Sequence, residues 1–166
     1  MPQVLAQYPD TYLTVAGSGP LEPTLRKLGS DLGIADRINF LGMVTQAKLP
    51  DLYRHATMFI APFIIATDGD QEGLGLVMVE AMGCGCPVIA SDLPAIHDVI
   101  EHDVTGWLVP SGDAQVLGQE ILHLLSNSAL RNDLSSKALS NTQQKFSWDR
   151  ITTAYKQQLL HHSNRV

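Results

Sequence analysis

The stretch EGLGLVMVEAMGCGCPVIAS, residues 72–91, decides how the rest of the chain is read. It opens on a carboxylate, Glu72, followed by Gly73-Leu74-Gly75, and then runs apolar to Met82 with one interruption, Glu80. It closes on Gly85-Cys86-Pro87 and a short β-branched segment from Val88. A helix packed on a sheet normally keeps a polar face toward water, and between Leu74 and Met82 Glu80 is the sole polar side chain. Glutamate is almost never fully buried without a partner, and no Lys or Arg lies between Arg54 and Arg131. Glu80 therefore needs hydrogen-bond donors from elsewhere, and the hydroxyls of a ligand would serve.

The glycines at 73 and 75 precede that helix. Backbone amides at a helix N-terminus, with no β-carbon in the way, suit a phosphate; the plainer alternative is a turn that needs positive φ. A diphosphate held there by amides alone, beside Asp68, Asp70 and Glu72, would be poorly neutralised. Basic groups must then come from outside this stretch. Glu72 taken singly could be a solvated carboxylate at a helix N-terminus, worth at most about 1 kcal/mol. Its pairing with Glu80 eight residues on favours a binding role. Asp68 and Asp70 fall short of a metal coordination set, and no metal is expected. Gly17-Ser18-Gly19 begins like a dinucleotide fingerprint but continues Pro20-Leu21-Glu22, so it reads as a structural turn.

Working outward, short β-rich runs alternate with helical periodicity. The strands are read at 12–16, 38–41, 58–62, 88–90 and 106–109. Helices are read from Leu21 through Leu25 and Leu28 to Leu32, from Thr45 as N-cap with Leu49, Leu52 and Tyr53 inward, over 75–83, as a short turn at 95–100, and over 114–125 capped by Asp113. The last helices span about 129–160, the second capped by Ser147, and 161–166 should fray. This alternation implies an α/β fold, a Rossmann-like parallel sheet with helices on both faces, in one domain over 1–166. Ligands of such sheets sit beyond the carboxyl ends of the strands. Gly17, Gly42, residues 64–75 and Asp92 all follow strand ends and so share that rim.

Composition narrows the function classes. A net charge of −6 over 166 residues argues against a nucleic-acid or anionic-membrane surface. No apolar run reaches a membrane span, and no charged-then-apolar leader opens the chain. Cys84 and Cys86 are too close for an ordinary disulfide and too few for a zinc site; they read as small core residues in a reducing, cytoplasmic compartment. His97-Asp98 and His102-Asp103 read as solvated helix ends.

With these pieces in place the pattern Glu72-x7-Glu80 followed by AMGCGCPVIAS resembles the signature of family 4 retaining glycosyltransferases, which adopt the GT-B fold. VAGSGP (15–20), INFLG (38–42), FIAP (59–62), TGWLVPSGD (105–113) and FSWDRI (146–151) fall in the family's order, so the resemblance covers nearly the whole chain. DGDQEGL (68–74) is similar to a bacterial surface-polysaccharide subset. The resemblance implies the C-terminal, donor-binding half of such an enzyme, with a UDP- or GDP-sugar as substrate and no further cofactor. It implies that Glu80 accepts from the ribose hydroxyls and that Glu72 acts catalytically beside the donor sugar. It further implies that Gly73, Leu74, Gly75 and Leu76 hold the sugar and distal phosphate, that Met43 and Val44 meet the base, and that Gly17 lies on the same rim.

Two departures from the family pattern bear on activity. The family's first strand and helix, carrying an Arg and a Lys for the diphosphate, are not matched here, and that strand is central, between the strands at 12–16 and 58–62. Either the flanking strands close up, or a gap leaves strand edges and apolar surface exposed. The N-terminal acceptor domain is also unmatched, so the expected partner is that domain, in a longer chain or as a separate subunit, and the expected location is cytoplasmic, peripheral at the inner membrane face through that domain. At 94–98 the usual glycine pair and Pro-Glu are replaced by Pro94-Ala95 and His97-Asp98. A non-catalytic nucleotide-sugar-binding module is the alternative to a transferase half; a dehydrogenase is disfavoured by the broken glycine fingerprint.

Overall fold

The structure is a computed structural model and describes residues 1–163. Helix α1 (Pro2–Gln7) leads into β1 (Leu13–Ala16), α2 (Glu22–Asp31), β2 (Ile38–Gly42), α3 (Leu49–His55) and β3 (Phe59–Ala61). Then come α4 (Leu76–Gly83), β4 (Val88–Asp92), β5 (Trp107–Pro110), α5 (Ala114–Ser126), α6 (Ser128–Phe146) and α7 (Trp148–Ser163). Every strand pair is parallel, as short β-branched runs separated by helices require. Among the described residues no helix is long and apolar enough to cross a membrane.

The strands fall into two sheets, β1–β2 and β3–β4–β5. β1 and β3 are not hydrogen-bonded to each other, so the second of the two arrangements anticipated from the family pattern is the one adopted. β4 is buried on both sides, and its alternating side chains feed two cores. Val88 and Ala90 join Met78, Ala81, Met82 and Tyr53 beneath α4 and α3. Ile89 joins Val4, Val109, Ile121 and Leu124 beneath α1 and α5. Asp113 accepts from the amides of Gln115 and Val116 at 3.0 and 2.9 Å and so caps α5 as expected.

Neither core includes a residue of β1, α2 or β2. The leucines at helical spacing along α2 are exposed: Leu21 at 66%, Leu25 at 44%, Leu28 at 50% and Leu32 at 47%. Helical spacing marks a face that can be buried, and here no second layer lies on it. Three other local expectations need correction. Thr45 does not cap α3: the chain makes a turn from Thr45 to Lys48, whose amide donates to the Thr45 carbonyl at 2.9 Å, and the helix starts at Leu49. The short helix after β4 is a 3₁₀ turn, Pro94–Asp98, begun by proline. The last helix continues to Ser163, so His161 and His162 lie within it; the remainder of the segment expected to fray, 164–166, lies outside the described residues.

Candidate functional site

The carboxyl ends of the strands converge on a rim made by the turn after β1, the loop 43–48 after β2, the long loop 62–75 after β3, and the segment after β4. Gly17 takes φ +125° there, and its amide donates to the Gly42 carbonyl at 2.8 Å, joining the first two of these turns. Met43 is 80% exposed on the neighbouring loop and Val44 is half-buried. Ser111 after β5 donates to the Phe63 carbonyl at 2.9 Å and ties the long loop down.

Within that loop the sequence builds two turns. The Gly69 and Ala66 amides donate to the carbonyls of Ala66 and Asp70 at 2.9 and 2.8 Å, and Asp68 accepts from the Asp70 amide at 3.1 Å. The chain then reaches Glu72, whose Oε1 accepts from three successive amides: Gly73 at 3.1 Å, Leu74 at 3.3 Å and Gly75 at 2.9 Å. These amides form an anion-binding nest at the N-terminus of α4. In this structure it holds the chain's own carboxylate, so Glu72 makes the helix-terminus contact that was the plainer of its two readings. Amide bonding from Gly75 and then Leu74 holds the Glu72 carboxyl below the ordinary carboxylate range; partial burial opposes this, and Gly73 adds to it.

A lowered native pKa means that Glu72 contributes to loop stability in full above its unfolded value and loses that contribution as pH falls through the native one. The amide shifts of Gly73 and Gly75 in an NMR titration should stay constant from pH 7 to 5. They should move below the ordinary glutamate pKa of about 4.3. A midpoint at or above that value would show the nest to be open.

Gly75 closes the nest in a left-handed conformation, φ +71°, at the N-cap of α4. A β-carbon there would be strained and would meet the methyl of Met78, which is fully buried. Gly75→Ala is therefore expected to destabilise the chain by about 1–3 kcal/mol, read as a lowered urea midpoint. An unchanged midpoint would mean that the loop adapts without cost.

Glu80 lies one and a half turns further along α4 and is half-buried. The sequence left it without a donor; the fold supplies two. Gln46 Nε2, from the loop after β2, donates to Oε1 at 2.8 Å. Tyr53 O–H, from α3, donates to Oε2 at 3.2 Å. Both residues escaped the sequence reading. Tyr53 was legible as part of the buried face of α3, but a buried phenol usually finds a polar partner, and that was the available signal. Leu76, at the first position of α4, is 63% exposed. The Gln46 bond thus joins the loop that carries Met43 and Val44 to Glu80 on α4. Gly17 is joined to the start of that loop through Gly42, and Glu72, Gly73, Leu74, Gly75 and Leu76 lead directly into the same helix.

Cations are scarce around this edge. Arg54 is paired with Asp51 at 3.2 Å, and Arg131 donates to the Leu124 and Leu125 carbonyls at the end of α5. His97, after β4, sits 2.7 Å from Asp92. His102 Nδ1 accepts from the Leu108 amide at 3.0 Å, which gives it a structural partner. Burial, then the neighbouring Cys84, pushes the Cys86 thiol up to about 12, in keeping with a small core residue.

Comparison with known proteins gives this edge a context. The chain is 37% identical over 116 residues to the amylovoran biosynthesis glycosyltransferase AmsK of Erwinia amylovora, covering 70% of this chain and 28% of that protein. It is 32% identical over 150 residues to a GDP-mannose-dependent monoacylated alpha-(1-6)-phosphatidylinositol monomannoside mannosyltransferase of Corynebacterium glutamicum, covering 90% of this chain and 39% of that one. In structure it resembles Anabaena Alr3699/HepE, solved in complex with UDP, with a TM-score of 0.83 and 26% identity over 96% of this chain and 44% of HepE. The chain therefore spans less than half the length of each of these proteins, and its architecture is that of part of a GT-B glycosyltransferase. Residues 1–140 match the family described as glycosyl transferases group 1. A match across that much of the chain, reinforced by identity to two proteins named for sugar transfer, means that the chain belongs to the glycosyl transferases group 1 family.

Proposed function

We propose that this chain is a single donor-binding unit, one that holds a nucleoside diphosphate sugar for a retaining glycosyltransferase. The observation that carries the reading is the placement of two complementary sites on one helix. The amide nest at 73–75 suits an anion, and the carboxylate of Glu80, five residues on, suits a diol. The helical rise puts them about 7 Å apart along the axis, comparable to the reach of a diphosphate between a ribose and a sugar. In this reading Glu80 accepts from the ribose hydroxyls, and Gly73, Leu74, Gly75 and Leu76 line the sugar and distal phosphate. Glu72 leaves the nest to act beside the donor sugar, while Met43 and Val44 flank the base and Gly17 opens the rim.

The donor is a UDP- or GDP-sugar, a reading supported by HepE, which was solved with UDP, and by the Corynebacterium relative, which is named for GDP-mannose. The acceptor is a glycan, a lipid or another hydroxyl-bearing molecule, met by a second domain or subunit on the cytoplasmic side, peripheral to the inner membrane. Calorimetric titration of the 166-residue chain with UDP and with GDP tests the donor reading. Binding of at least one is expected, and Glu80→Ala should weaken it by about tenfold or more, the worth of hydrogen bonds to a charged group. No binding by either nucleotide, or binding indifferent to Glu80→Ala, would overturn it.

A further inference from the structure

The donors on Glu80 differ in every property that decides whether they stay. Tyr53 is 7% exposed, its ring meets Phe59 edge-to-face at 5.5 Å, and it belongs to the core beneath α4. Gln46 is exposed and stands on an irregular loop, yet it makes the shorter bond. Each carboxylate oxygen has two lone pairs, so neither donor alone closes Glu80 to a ligand. Oε1 nonetheless faces the loop from which a rim ligand would arrive, and the Gln46 amide occupies that approach.

We propose that Tyr53 is the positioning residue that fixes Glu80 for a ribose diol, and that Gln46 is a resident donor displaced when the diol binds. The proposal rests on the donor-binding reading above. A side chain packed in the core cannot leave without opening a cavity, whereas an exposed amide exchanges its partner for water at little net cost. The phenol also stays protonated: burial first, and the adjacent Glu80 second, push Tyr53 up to about 12, so it remains a donor across the working range. Gln46 has a further consequence, because its bond joins the loop after β2 to α4. Displacing it loosens the attachment of the β1–β2 layer at the moment the nucleoside enters.

The test compares ribo- and 2′-deoxyribonucleoside diphosphates, UDP against dUDP and GDP against dGDP, titrated into the whole chain. Wild type should favour the ribo form by about tenfold. Tyr53→Phe, which keeps the ring contact with Phe59, should cut that preference to about twofold or less while leaving the deoxy form unchanged. Gln46→Ala should tighten the ribo form alone and so widen the preference. An intact preference in Tyr53→Phe would overturn the positioning role, as would equal weakening of both forms, the mark of a purely structural residue. Weaker ribo binding in Gln46→Ala would make Gln46 a ligand contact and overturn its displacement. Gln46 is exposed, so that variant reports on Glu80 even if Tyr53→Phe does not fold. If Glu80→Ala retains the ribo preference, or nothing binds, the donor reading fails and this proposal with it. If binding depends on Glu80 but not on Tyr53, only the proposal fails.

Discussion

In native-state hydrogen exchange, the amides of β1 and β2 are expected to exchange at least about a hundredfold faster than those of β4. Local opening energies range from near zero to the global stability, and each 1.4 kcal/mol corresponds to about a tenfold difference in rate. β4 is bonded on both sides and feeds both cores. β1 and β2 bond to each other, contribute to neither core, and carry α2 with its four leucines facing solvent. A layer with so little buried apolar area has little to oppose its opening. The free edges of β1 and β3 should also make the chain associate with concentration. Equal protection across the five strands, in a sample that stays monomeric, would show the two sheets to be one cooperative unit.

The 166-residue chain is expected to transfer no measurable sugar from UDP-glucose or GDP-mannose to any acceptor. Departure of a nucleoside diphosphate concentrates negative charge, and enzymes stabilise it with donors and cations aimed at it; losing one such group typically costs about 10²–10³ in rate. Between residues 55 and 130 the chain has no Lys or Arg. The two arginines that bracket this span are engaged, Arg54 by Asp51 and Arg131 by the carbonyls ending α5. Lys48, just before α3, is exposed. A chain that supplies an acceptor site and further cations should restore turnover. Robust transfer by the 166 residues alone would sink both this expectation and the electrostatic account behind it.

What could be read from sequence was local. The alternation of β-rich runs and helical spacing sets the strand order along the chain, Asp113 announces its own cap, Glu80 stands out as a charge in an apolar helix, and Glu72 stands out only through its pairing with Glu80. What escaped was long-range. The donors to Glu80 lie 27 and 34 residues away, and no periodicity links a glutamine in a loop to a glutamate on a later helix. Glu72 illustrates the converse. Its proximity to the glycines was plain, but whether three amides point at it or at a ligand depends on the turns between Ala66 and Gly75. The α2 leucines misled for a third reason: periodicity reports a face able to pack, and says nothing about whether a neighbour is there.

On the donor-binding proposal, the carboxylate of Glu72 in the nest would give ligand capture an unusual character. An empty cluster of three amides would have to be ordered by each arriving anion, at the cost of loop entropy. Here an internal template keeps the dipoles aligned beforehand, so capture would be an exchange of one anion for another at a preorganised seat. Such a swap would leave the charge in the nest almost unchanged. The departing carboxylate also stays tethered within a few bonds of the site, ready to reseat itself as soon as the ligand leaves.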